Sequence, residues 1–289
     1  MIKTNMHRVL VPVSLDEQGV SAIQHAKEIQ EKFNATITLL YVVPDESILT
    51  EWFRPVRKQS KLLQYQKQLK HFVGKEFGGK VPKFVRLKVR PGSIAKAIVH
   101  TLNHFRFDLV ILNKMIGYDQ QNSSVWESGI KFIVGEARCP VLTYNGGDKP
   151  FRIQTIMLPV DIMQPHQQKV SWATRLAHTW DARVHVVSAL RLNIKEEDST
   201  IYRKMKDITQ TLEDEGIETG MTLLREDPGV KLGDIMRNFI NEAQPDLTLV
   251  MSHKENIFDF NYIGGLASEI ILNTDAPVFC ITPKRETLV

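Results

Sequence analysis

The sequence predicts an α/β protein built from two tandem doubly wound domains, each with an open, mostly parallel five-stranded sheet. Three observations predict it. The chain repeats itself: Val9-Leu10-Val11-Pro12-Val13 returns as Ile156-Met157-Leu158-Pro159-Val160, and the offset of 147 residues holds without a gap from Ala35–Tyr41 to Ala182–Ser188. Within each copy, short β-branched runs alternate with segments of helical period, which implies right-handed crossovers and a parallel sheet covered on both faces. Landmarks also recur in order: Pro91-Gly92 and Pro228-Gly229, Phe107-Asp108 and Pro245-Asp246, Cys139-Pro140-Val141 and Ala276-Pro277-Val278. A solenoid is excluded, because solenoid units repeat every ~20–50 residues. The expected domains are residues 1–146 and 151–289. The linker is 147–150, within a stretch of turn composition, Asn145-Gly146-Gly147-Asp148-Lys149-Pro150.

In the first copy, His7 to Val13 reads as a buried strand, and Glu17 to Phe33 carries Val20, Ile23, Ala26, Ile29 and Phe33 at helical spacing. Thr36 to Val43 is β-branched and aromatic, a second strand, and Pro55 to Phe77 reads as a helix. Lys83 to Val89 alternates polar and apolar, a third strand; Ser93 to Phe105 is helical, with Ile94, Ala97, Ile98 and Leu102 on one face. Asp108 to Asn113 is the fourth strand, a helix runs from about Val125 to Ala137, and Val141 to Tyr144 is the fifth strand. The second copy places strands at Gln154–Val160, Arg183–Ala189, Glu218–Leu224, Leu247–Ser252 and Val278–Thr282, with helices starting near Gln164, Glu196, Val230 and Tyr262. Trp172 and Trp180 fit the buried stripe of the first of these helices.

The composition is that of a globular protein, with 43% hydrophobic and 24% charged residues. The net charge of +4 is spread along the chain, which gives no basis for a nucleic-acid partner. The Lys- and Gln-rich run from Arg57 to Gln68 reads as the solvated face of an amphipathic helix. Cys139 and Cys280 belong to no C-x-x-C pair, so neither a disulfide framework nor a cysteine zinc site is expected. His100 and His104 stand at i, i+4 without the glutamate of a metalloprotease helix, and no metal is expected. The N-terminal residues run into a strand without an apolar signal core, and no apolar run approaches ~20 residues. The expectation is a cytoplasmic, reduced protein without a membrane partner.

In an open parallel sheet, ligands bind beyond the carboxyl ends of the strands, where strand order reverses. Two segments per copy lead there: the turn after strand one and the loop after strand four. The motifs at these places are Val11-Pro12-Val13-Ser14-Leu15-Asp16 and Leu158-Pro159-Val160-Asp161, with Ser252-His253 after the second copy's fourth strand. On these motifs, over nearly its whole length, the chain resembles the universal stress protein family in its tandem two-domain form, on the adenine-nucleotide alpha-hydrolase-like fold.

In nucleotide-binding members of that family, an Asp after strand one and a Val at the end of strand two contact the nucleoside. A G-x-x-G loop, nine residues and G-S/T hold the phosphates. Counting back from Pro140, the first copy has Ser14 at the Asp, Val42 at the Val, Lys114 and Gly117 in the loop, and Glu127-Ser128 at the closing pair. Counting back from Pro277, the second has Asp161, Ala189, Met251 and Lys254, and Gly264-Gly265. A Cβ at a loop glycine blocks the phosphate, and Glu127 is expected to set a carboxylate at a helix N-terminus where phosphate would lie. The first copy is therefore expected not to bind ATP, with Val42, Gly117 and Ser128 as its weaker candidates. The second is the better site, formed by Asp161, Ser252, His253, Lys254, Gly264 and Gly265, with Lys254 as a point charge for phosphate. No third group orients His253 beside Ser252, so no catalytic residue is expected.

The resemblance implies a stress-response protein that works by binding, with no efficient ATP turnover. The alternative is an ATP- or adenine-nucleotide-binding sensor with weak or no ATPase activity. It further implies an intramolecular pseudo-dimer of the two copies through their last strands, room for a homo-oligomer, and a protein partner that the sequence does not identify.

Overall fold

A computed structural model describes residues 6–43, 55–116, 123–147, 151–160, 166–191, 199–226, 229–252 and 265–283. The chain divides into two compact units, Met1–Pro150 and Phe151–Val289.

The first unit runs β1 (Arg8–Val13), α1 (Glu17–Phe33), β2 (Thr36–Val43), α2 (Pro55–Glu76), β3 (Val85–Pro91), α3 (Ile94–His104), β4 (Leu109–Asn113), α4 (Ser123–Glu136) and β5 (Val141–Tyr144). Its strands lie in the order β3-β2-β1-β4-β5 and pair in parallel. The second unit repeats this with β6 (Thr155–Pro159), α5 (Gln167–Trp180), β7 (Arg183–Arg191), α6 (Thr200–Asp214), β8 (Thr219–Glu226), α7 (Leu232–Ala243), β9 (Leu247–Met251), α8 (Gly265–Asn273) and β10 (Val278–Ile281). Its order is β8-β7-β6-β9-β10, again parallel. Each unit is thus the doubly wound sheet expected from the sequence, with its reversal point between its first and fourth strands.

The central strands are buried from both sides, which is why they read as continuous apolar runs. Val9, Leu10, Val11, Leu109, Val110, Ile111 and Leu112 are all fully buried, as are their counterparts Ile156, Leu158, Leu247 and Leu249. Each unit closes its first helix in the same way. Asn34 after α1 and Asp181 after α5 both take the left-handed conformation, at φ 50° and 56°. Short polar side chains tolerate that region, and these two stand 147 residues apart, the repeat offset.

Where the observed elements differ from the expected ones, a local interaction decides. The third strand is Val85–Pro91 and not Lys83–Val89, because β3 pairs with β2 as far as Val43↔Pro91 and the Gly92 N–H then donates to the Val43 carbonyl at 2.9 Å. Gly92 sits at φ 123°, a conformation that favours glycine, and so ends the strand there. Helix α6 begins at Thr200 and not near Glu196, because the Ser199 hydroxyl accepts from the Tyr202 N–H at 3.0 Å and caps it. The buried stripe of α5 is Val170, Ala173, Leu176 and Ala177. Trp172 and Trp180 flank it half-buried, Trp172 with its ring centroid 5.1 Å from that of Phe279. The helix start expected near Tyr262 lies outside the described residues. Both cysteines are buried and neither forms a disulfide, and burial pushes the Cys139 thiol up to about 12.

One aspartate per unit ties the fourth strand to the first at the amino edge. A single Asp108 carboxylate oxygen accepts from the N–H groups of His7 and Arg8, both at 2.9 Å. Asp246 accepts from Gln154 and Thr155 at 3.0 and 2.9 Å. Hydrogen bonds to a charged acceptor contribute about 1.5–3 kcal/mol each when well formed, less when exposed. Asp108→Ala should therefore destabilise the protein by about 1–3 kcal/mol in a urea titration, while Asp108→Asn, which keeps one acceptor oxygen, should cost less. A second expectation concerns Thr248, fully buried, whose hydroxyl meets no hydrogen-bond partner among the described residues. The first unit has Val110 at the same register, Leu10↔Val110 against Met157↔Thr248. Thr248→Val removes the unpaired hydroxyl at constant shape. It should raise stability by about 1 kcal/mol, or Tm by roughly 2–4 °C, in thermal unfolding followed by circular dichroism.

Candidate functional site

The reversal point opens at the carboxyl edge of each sheet. Registered pairing of β1 with β4 stops at Leu10↔Val110, although the strands continue to Val13 and Asn113. The turn out of β1 and the loop out of β4 therefore leave the sheet on either side of a cleft.

In the first unit the chain's own side chains bond to one another at this edge. Asn113 is buried, and its amide N–H donates to the Gln18 side-chain oxygen at 3.0 Å and to the Gln18 carbonyl at 3.4 Å. Its own oxygen accepts from the Met115 N–H at 2.9 Å, which fixes the start of the loop. Opposite, the Ser14 hydroxyl donates to the Asp16 carboxylate, which also accepts from the Gly19 N–H at 3.1 Å as the N-cap of α1. The acidic residue of this turn is thus engaged in capping a helix. The turn is tight enough to require glycine: a Cβ on Gly19 would stand 1.9 Å from the Ser14 carbonyl oxygen. On the far side of the loop the Trp126 indole N–H donates to the Lys114 carbonyl, and both residues are buried.

Two sequence expectations change here. Glu127 does not lie at a helix N-terminus: α4 begins at Ser123, its first turn holds no acid, and Glu127 is exposed in the next turn. Trp126 is the residue that turns inward, because it falls on the buried face with Ile130 and Ile133. The first loop position is Asn113 and not Lys114. Asp108 and Asp246 make the same hydrogen bonds, and five residues beyond them stand Asn113 and Met251. The next N–H groups, of Lys114 and Ser252, donate to Tyr144 and Ile281 of the last strand in each unit, at 2.7 and 2.9 Å. The aspartate spacing was the signal for Asn113; counting back from the proline misses it, because the intervening segment differs by one residue between the copies. Of the weaker candidates, Val42 is buried in β2, and Ser128 is exposed and donates to the Ser124 carbonyl of its own helix at 2.8 Å. Gly117 lies outside the described residues.

In the second unit the corresponding edge is formed by Val160 and Ser252. The Val160 N–H donates to the Val187 carbonyl at 2.8 Å, and the Val160 carbonyl accepts from the Ser188 hydroxyl at 2.6 Å. Lys169 reaches back from α5 to the Pro159 carbonyl at 2.7 Å. Ala189 is buried in β7, and Ser252 is fully buried at the end of β9. Gly265 opens α8 and is exposed, and no described atom lies within 4 Å of where its Cβ would be. Asp161, His253, Lys254 and Gly264 lie outside the described residues.

Residues 5–145 match the model of the universal stress protein family. The first half is a universal stress protein domain. The chain as a whole is similar in fold to a universal stress protein from Archaeoglobus fulgidus DSM 4304, with a TM-score of 0.68 at 12% identity over 98% of each chain. A functionally unknown protein from Pseudomonas aeruginosa PAO1 gives 0.61 at 16% identity, over 97% of this chain and 94% of that one. The cytoplasmic domain of a prokaryotic cation chloride cotransporter gives 0.51 at 15% identity, over 96% and 95%. At these identities the likeness is one of fold. No curated protein matches the sequence. Among the described residues, no helix is long and apolar enough to cross a membrane, and no three His, Cys, Asp or Glu side chains are placed to hold a metal.

Nucleotide access to the first unit's cleft should depend on Asn113 and Trp126. Asn113→Gly with Trp126→Ala should raise the affinity of the isolated first half for ATP by about tenfold or more in calorimetry, since it removes the bridge to Gln18 and the indole that covers the loop. Lys114→Gly with Glu127→Gly, which leaves both in place, should change it little.

Proposed function

We propose that this universal stress protein is a cytoplasmic stress-response protein that acts by binding, and that its ligand is an adenine nucleotide such as ATP held by the second half. The observation that carries this reading is the contrast between the halves. The first has the Asn113–Gln18 bridge and the Trp126–Lys114 bond at its edge, whereas among the described residues no side chain covers Gly265 at the start of α8. The site consists of Asp161 after β6, Ser252, His253 and Lys254 after β9, and Gly264 and Gly265 at α8. Backbone N–H groups at a helix start hold phosphate, and Lys254 adds a point charge. No general base or nucleophile is assigned, so the protein binds ATP without turning it over efficiently. The two copies pair through their last strands as an intramolecular pseudo-dimer, and the bound state is what a protein partner recognises.

The test is calorimetry with ATP on the full chain. Loss of one charge-assisted hydrogen bond corresponds to ~1.5–3 kcal/mol, about ten- to a hundredfold in affinity. Lys254→Ala should weaken binding by that factor and Lys114→Ala should leave it unchanged. Equal effects of the two substitutions, or ATP binding by the isolated first half alone, would contradict the assignment. The pairing of copies has its own check. Halves expressed separately and divided at Pro150, beyond the Ser21 hydroxyl's bond to the Gly147 carbonyl at 2.6 Å, should co-purify as a one-to-one complex. Two monodisperse monomers at micromolar concentration would rule the pairing out.

A further inference from the structure

The first unit contains a second concave feature, away from the cleft between β1 and β4. A recess of about 260 Å³ lies where β3 passes into α3, lined by Arg90, Gly92, Ser93, Lys96 and His100 among others. Its chemistry is one-sided. The stretch from Lys83 to Arg106 holds Lys83, Arg86, Lys88, Arg90, Lys96 and Arg106 and not one Asp or Glu.

Strand alternation puts Arg86, Lys88 and Arg90 on the same face of β3, which is the edge strand of its unit. Lys88 shows which way that face looks: its ammonium lies 3.2 Å from the ring centroid of Phe105, at the end of α3. Burial, and after it the nearby Arg90 guanidinium, hold Lys88 below its ordinary pKa. The Arg90 Nε–H is shut away from solvent and meets no acceptor among the described residues. A buried guanidinium N–H without a partner is an energetic liability unless a ligand supplies one.

The backbone of the recess adds donors. Ser93 is the N-cap of α3, but its hydroxyl makes no capping bond and the first turn holds no acid. The first-turn N–H groups of this eleven-residue helix therefore take no acceptor from the helix's own N-cap or first turn. Gly92, at φ 123°, carries no side chain that would cover them.

The second unit shows the same junction neutralised from within. The third residue of α7 is Asp234 where the third residue of α3 is Lys96. Arg237 is paired with Asp234 at 3.1 Å and with Glu269 at 2.7 Å. The second copy has built its own anion into this place; in the first, the stretch from Lys83 to Arg106 supplies none.

We propose that the Arg90–Lys96 recess of the first half binds the phosphate group of a small molecule. A phosphate dianion matches a guanidinium, an ammonium, a hydroxyl and helix N–H groups that line one small volume. A monoanionic carboxylate would leave part of the charge unmet, and the recess is too small to follow a polymer backbone. The site is distinct from the nucleotide site proposed for the second half, and neither depends on the other.

The experiment is calorimetry on the full chain with inorganic phosphate, pyrophosphate and acetate at constant ionic strength. It is paired with amide chemical-shift mapping of the wild-type protein. Phosphate and pyrophosphate should bind, acetate about tenfold or more weaker, and the shifts should concentrate at Gly92, Ser93, Ile94 and Lys96. R90Q with K96Q should weaken pyrophosphate by about tenfold or more, while K254A should not alter those shifts. The mapping needs no variant, so it decides even if the double substitution fails to fold. Unchanged affinity in R90Q/K96Q, shifts at Leu232–Asp234 in place of Gly92–Lys96, or acetate binding as well as phosphate would each overturn the proposal. So would binding seen with an oligonucleotide and not with pyrophosphate, which would make the basic strand face a polymer surface.

Discussion

The pairing of the first strand with the fourth is the constraint on which each half depends. It is short, two registered pairs, and it is clamped at the amino edge by one aspartate that takes two backbone N–H groups of the neighbouring strand. That clamp sets strand order to either side and places the reversal point. Beyond the registered pairs both strands run on to the carboxyl edge. Whatever the cleft holds must satisfy the polar groups exposed there, either with a ligand or with the protein's own side chains.

The two halves answer that requirement differently. In the first, the amide of Asn113 spans the cleft to Gln18, Asp16 is occupied as the cap of α1, and Trp126 donates to the loop carbonyl. These bonds satisfy, within the first half, polar groups at the edge of the sheet. The second half has Met251 at the strand end, with no amide to form such a bridge. Charge follows an independent pattern, since the stretch from Lys83 to Arg106 in the first half carries no carboxylate while the β8–α7 junction of the second pairs Arg237 twice.

Much of this was legible in the sequence. The fold followed from the repeat and from the alternation of β-branched runs with helical periods, because buried parallel strands and amphipathic helices leave those two signatures. Element ends were less legible where a single side chain or φ angle decides them, as Ser199 does for α6 and Gly92 for β3. Within the site, the sequence pointed to the strand-four loop but singled out Lys114 and Glu127. Lys114 was judged by the Cβ it adds, Glu127 by its charge, and both by position relative to a proline. The structure turns instead on Asn113 and Trp126, whose importance lies in where they point: an amide into the cleft and an indole onto a carbonyl. Residue type alone does not carry that direction. The spacing from Asp108 to Asn113, repeated from Asp246 to Met251, did carry the register.

The central claim is that the first half's nucleotide cleft is shut by its own hydrogen bonds while the second half's is available. The most direct measurement follows the Trp126 indole N–H resonance in the full chain as ATP is added to saturation. The account predicts that this proton exchanges slowly with water and keeps its chemical shift, while the amide signals of Ser252 and Gly265 move. An indole signal that shifts or gains rapid exchange on ATP addition, with Ser252 and Gly265 unmoved, would contradict it.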